Sequence, residues 1–153
     1  MEIQVLLRPL EELEREMQTL YEWLAETFAA DREAARIFFR LAMDEKRHAT
    51  MVEHIRRLAR QNPTLFAGTI DASAEAVHRC LAASRTLRAN GSSPTLGAAL
   101  RTAMALEGSA AESHYRQAVA AAVPEVAQLL QSLADADRTH HAALARLAAA
   151  RRL

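Results

Sequence analysis

"FFRLAMDEKRHATMVEHI", residues 38–55, carries an apolar stripe at helical spacing: Phe38, Leu41, Val52 and Ile55. The two positions that should continue the stripe between Leu41 and Val52 hold Glu45 and His48. A helix that turned this face to a core would bury a carboxylate and an imidazole. Burial of such groups is costly unless they are paired, protonated or bound to a metal. The stretch therefore reads as a buried helix with a purpose at its centre.

The same interruption recurs in three other helical stretches. One carries Leu10, Glu14, Met17, Tyr21, Leu24 and Phe28, and a second Leu96, Leu100, Ala103, Glu107, Ala110, His114 and Ala118. A third carries Val126, Leu130, Leu133, Asp137, His140, Leu144 and Leu147. The order also repeats. Glu14 precedes the Glu45-x-x-His48 pair, and Glu107 precedes the Asp137-x-x-His140 pair, by 31 and 30 residues respectively. Residues three apart on a helix share a face, with Cβ atoms about 5–6 Å apart, so each pair can grip one metal or two adjacent ones. Four carboxylates and two histidines from four helices make a six-ligand set whose charge two divalent cations balance. Without them the buried like charges repel or take up protons. The stripes are thus interrupted because the bundle is built around a dimetal centre. An oxygen-rich shell with two imidazoles suits iron or manganese, and zinc can also occupy it.

The chain has 153 residues, half of them apolar and a quarter charged, with a formal net charge of zero. That is enough for one domain with a real core, and it points away from nucleic-acid binding and disorder. No run reaches the roughly 20 apolar residues of a membrane span. "MEIQVLLRPLEELERE" does not read as a signal peptide, and Cys80 is a lone thiol, so a reducing cytoplasm is the expected location.

Only four Gly and four Pro punctuate the chain. Ala, Leu, Arg and Glu dominate between them, and no stretch alternates like a strand. The expected fold is all-α: a four-helix bundle of two antiparallel hairpins, residues 9–60 and 94–150, joined by a crossover at 61–93. Pro9 is expected in the first turn of the first long helix, Asp31 as the cap of the second, Ser93 as the cap of the third with Pro94 in its first turn, and Pro124 at the start of the fourth. "DASAEAVHRCLAASRTLRA" is expected to form a shorter helix within the crossover.

"LEREMQTLYEWLAETF", "LAMDEKRHATMVEHI", "ALEGSAAESHY" and "LADADRTHHAAL" together resemble the rubrerythrin and ferritin-like diiron carboxylate superfamily over nearly the whole chain. The resemblance implies a ferritin-like bundle with Glu14, Glu45, His48, Glu107, Asp137 and His140 as ligands to two iron ions. It also implies reaction with peroxide or dioxygen, or oxidation of ferrous iron, and a homodimer or larger assembly. Three departures stand out. With a single cysteine the chain has no four-cysteine electron-transfer module, so the reductant is expected to be a separate protein. Ala110 stands where relatives carry an extra glutamate, and Asp137 where they carry Glu.

Tyr21 and Tyr115 follow their helices' carboxylates by seven and eight residues. Each is either a hydrogen-bond partner of a ligand or a packed core tyrosine. His114 reads as a partner of a ligand rather than a seventh ligand. His54, His78 and His141 read as solvated. Three functions remain open: a peroxidase- or ferroxidase-type oxidoreductase, a protein that sequesters iron with little turnover, and a bundle that metal merely locks. If Glu45 and Asp137 both bridge the metals, the shorter Asp137 requires its helix to sit closer to the site; otherwise Asp137 binds one metal only.

Overall fold

The computed structural model describes residues 1–70 and 74–153. They form five helices: α1 (Ile3–Thr27), α2 (Arg32–Gln61), α3 (Glu75–Ala89), α4 (Leu96–Ala120) and α5 (Pro124–Ala150). The first residues of the expected crossover helix, 71–73, lie outside the described residues. The described residues contain no strand, only an isolated bridge between Glu2 and Thr69. No helix among them is long and apolar enough to cross a membrane. The chain is a ferritin-like helical bundle.

The most extensive packing is α1 on α2 and α4 on α5, the two hairpins, which meet through α2 and α5. The crossover helix α3 packs on both α1 and α4 and covers the side of the bundle between them. Buried polar contacts seat it there. Ser84 Oγ donates to Glu16 Oε1 at 2.8 Å, and Arg88 donates to the same oxygen at 2.6 Å.

Two helix starts differ from expectation. α1 begins six residues before Pro9, which lies inside the helix. Proline there removes one backbone hydrogen bond and costs ~3 kcal/mol. Ile3, Leu6, Leu7 and Leu10 are nonetheless fully buried against Val52, Phe66, Ile70, Val126 and Leu130. At ~1.5–3 kcal/mol for each buried side chain, packing outweighs the break. The loop after α2 pins this end, with Met1 and Ile70 exchanging backbone bonds of 2.9 and 2.8 Å. Gly68 lies so close to Ile3 that a Cβ would sit 3.2 Å from its Cδ1. At α4 the cap is Thr95, not Ser93. Its hydroxyl accepts from Ala98 N at 3.1 Å, and Pro94 stays outside the helix, where its missing N–H costs nothing. Asp31 caps α2 as expected, accepting from Ala34 N at 3.1 Å, and Pro124 opens α5.

The core falls into two apolar clusters. One gathers Leu20, Tyr21, Leu24, Phe38, Leu100 and Leu144, and the other Leu6, Leu10, Val52, Val126 and Leu130. In each of the four long helices the stripe interruption lies between the residues of one cluster and those of the other. The polar residues therefore form a layer across the middle of the bundle.

Candidate metal centre

α1 supplies Glu14, α2 Glu45 and His48, α4 Glu107, and α5 Asp137 and His140, each at most 3% exposed. They converge in two groups, Glu14–Glu45–His48 and Glu45–Glu107–Asp137–His140, within each of which the donor atoms lie within 4.8 Å of one another. Glu45 belongs to both. Its Oε2 is 3.0 Å from His48 Nδ1 and its Oε1 2.9 Å from His140 Nδ1. The two imidazole rings face each other with centroids 5.7 Å apart.

The partners of these carboxylates separate them from the other buried acids. Glu11 is held by Arg15 and Arg56, and Glu16 by Arg88, as isolated buried charges require. Among the described residues, Glu14, Glu45, Glu107 and Asp137 make ion pairs only with histidines. Several of their buried atoms, Glu14 Oε2, Glu45 Oε1 and His140 Nδ1, have no hydrogen-bond partner among the described residues. His140 Nδ1 and Glu45 Oε1 are near each other yet misaligned for a hydrogen bond. Lone pairs that converge on a shared space rather than on one another suit a cation placed between them.

Burial and like charge make these carboxyls costly to ionise on their own. Burial, reinforced by the charges of Glu45 and Asp137, pushes the carboxyls of Glu14 and Glu107 up to about 8. Burial also acts to raise Glu45, but its neighbours His140 and His48 hold it down at about 2. Burial acts to lower the two imidazoles, yet the facing carboxylates lift His48 to about 10 and His140 to about 11. Without a cation to neutralise them, these groups would hold protons at neutral pH. Metal binding requires deprotonated ligands and has to release them.

Around the six lie residues that touch them. Tyr21, fully buried, donates its hydroxyl to Glu107 Oε1, and burial beside that carboxylate raises its pKa well above the ordinary value. His114 is fully buried, with Nδ1 2.7 Å from Asp137 Oδ2 and Nε2 4.0 Å from Glu14 Oε1. Tyr115 does not reach the cluster. The residue is 47% exposed, with the Arg138 guanidinium 5.3 Å from its ring centroid. At about 100° per residue, seven residues bring Tyr21 back to within about 20° of Glu14, whereas eight turn Tyr115 about 80° away from Glu107. His54 and His78 are exposed. His141, expected in solvent, is half-buried in a groove it lines with Gly108, Tyr115 and Arg138.

Sequence reading missed Asp44. Its Oδ2 is 3.3 Å from His140 Nε2, placed to accept a hydrogen bond from that nitrogen while Nδ1 faces the other carboxylates. Only its place beside Glu45 hints at this, since the two partners are 96 residues apart.

No curated protein and no solved structure matches the chain. A comparison with protein families matches residues 11–148 to rubrerythrin, a span that includes all six converging residues. With its helical bundle and its buried layer of carboxylates and histidines, the chain belongs to the rubrerythrin family.

Proposed function

We propose that the protein is a non-haem diiron carboxylate protein that reacts with peroxide or dioxygen, in a protective peroxidase or ferroxidase role. The observation that carries this is the pair of donor groups joined by Glu45, buried and, among the described residues, without a lysine or arginine partner. Glu14 and His48 would hold one metal, Glu107, Asp137 and His140 the other, and Glu45 both. Two irons held there would supply the redox equivalents for reaction with an oxidant. The chain's own residues do the rest. Asp44 fixes the tautomer of His140, and Tyr21 orients Glu107 by donating to one of its oxygens. The apolar clusters on either side exclude bulk water.

The electrons would come from a separate donor protein, because Cys80 is the chain's single cysteine and is buried. We also read the protein as a homodimer, and the exposed Phe39 and Met43 on the outer face of α2 are compatible with a partner. Light scattering that gave 16.9 kDa at micromolar concentration would reject the dimer.

The function is tested by elemental analysis of protein from iron-supplemented culture, then by adding ferrous iron and peroxide with a reductant. Two irons per chain and repeated peroxide turnover are expected. Oxidation that stops after one stoichiometric cycle would favour iron sequestration instead. A redox-inert metal that only raises the melting temperature would leave a structural lock.

A further inference from the structure

The two halves of the chain supply equivalent carboxylate-x-x-His pairs, yet their carboxylates end up in different situations. Glu45 turns one oxygen toward His48 and the other toward His140. Asp137, its counterpart, converges only with Glu45, Glu107 and His140. Its Oδ2 is taken by His114, a fully buried residue seven positions after Glu107 on α4. A carboxylate that ligates a metal can only accept at its other oxygen, so in the dimetal reading His114 donates from Nδ1. At 2.7 Å this is a short, charge-assisted bond, of the class roughly twice as strong as a neutral one. An aspartate has one rotatable bond fewer than a glutamate, so fixing Oδ2 also fixes where Oδ1 points. The other ring nitrogen, Nε2, has no hydrogen-bond partner among the described residues. The grip of His114 on Asp137 therefore runs through Nδ1 alone.

We propose that His114 is a positioning residue that commits Asp137 to a single metal, the one held with Glu107 and His140, and so makes the two metal positions unequal. The proposal rests on the dimetal reading above. It accounts for the departure at Asp137 by a neighbour as well as by length. The shorter side chain is held by an imidazole whose other nitrogen faces Glu14 Oε1 at 4.0 Å, so His114 stands between Asp137 and the Glu14–His48 position and keeps the carboxylate from swinging across.

The test uses the full chain, stripped of metal and titrated with cobalt(II) alone, and follows the ligand-field absorption in competition with a chelator. His114→Asn places an amide N–H close to where Nδ1 lies, whereas His114→Gln places it near Nε2. His114→Leu removes the donor altogether. Two cobalt ions with distinct affinities are expected in the parent. His114→Gln and His114→Leu should weaken one of them by about 10–100-fold and leave the other unchanged, while His114→Asn keeps both. The absorption of the weakened ion should change with its affinity, which general loosening of the fold would not produce for one site alone. Circular dichroism checks folding. If His114→Leu fails to fold, the Asn and Gln variants, alike in polarity, carry the comparison. Parent-like affinities in both His114→Gln and His114→Asn, or equal loss of both ions in the two, would overturn the proposal while the dimetal reading stands. A parent that binds no cobalt would overturn both.

Discussion

Glu45 and Glu14 are both buried carboxylates on apolar stripes, but they differ in how much of the cluster depends on them. Glu45 lies between the two histidines and enters both donor groups, whereas Glu14 enters one. Replacing either with leucine continues the stripe, so the helices should form in both variants. The expected metal contents differ. Glu45→Leu should bind neither metal tightly, and Glu14→Leu should keep one per chain at the Glu107–His140 position. Elemental analysis after gel filtration reads the counts, and two metals retained by Glu45→Leu would refute the sharing. The interruption at Glu45 was visible in the sequence because helical periodicity assigns each residue a face. Its double role was not visible, because that depends on which oxygen meets which neighbour.

For the helices, the informative differences are at their ends. Ser93 and Thr95 have equivalent cap chemistry and flank the same proline, so sequence reading could not choose between them by residue type. The hydroxyl that reaches Ala98 N is that of Thr95. Thr95→Ala should destabilise the protein by ~1 kcal/mol, and Ser93→Ala, at an exposed position with no cap bond, should stay within ~0.5 kcal/mol. Urea denaturation of the two variants makes the comparison, and equal effects would contradict the assignment. The early start of α1 has a different cause. Local rules place a helix start at Pro9, but the residues before it are apolar and find a tertiary surface to cover. The crossover helix was legible as a helix from its composition. Its seat across α1 and α4 was not, because its anchors at Glu16 and Ser84 lie 68 residues apart in the chain.

The whole molecule should show its metal dependence in the way stability varies with pH. In the metal-free protein Glu14 and Glu107 bind their protons up to about 8, far above the ordinary glutamate value of 4.5. The folded state then holds more protons than the unfolded state between those limits, so stability falls as pH rises through that window. His48 and His140, raised to about 10 and 11 by their carboxylates, act in the same direction from their ordinary 6.5 upward. Glu45, held at about 2, acts oppositely, and its contribution is lost only below 4.5. Chelated protein should therefore melt at a lower temperature at pH 8 than at pH 5. Metal-loaded protein should not follow, since deprotonation favours the ligands and bound metal adds a few kcal/mol by mass action. Melting curves with and without chelator at the two pH values check this. A chelated protein whose melting temperature rises from pH 5 to pH 8 would contradict the assignment of the protons.

The sequence by itself determined the helices, the faces they bury and the six residues that interrupt those faces, because a period of 3.6 fixes a residue's direction around its own helix. It also carried the repeat that pairs the two halves. The tertiary structure decided what lies between helices: that Glu45 enters both donor groups and Asp137 one, and that Asp44 reaches His140 and His114 reaches Asp137. It decided too that Tyr21 meets Glu107 while Tyr115 faces solvent. The relative rotation and axial offset of packed helices set these contacts. Both come from the fit of large side chains in the two apolar clusters, and helical periodicity within one segment carries no information about them.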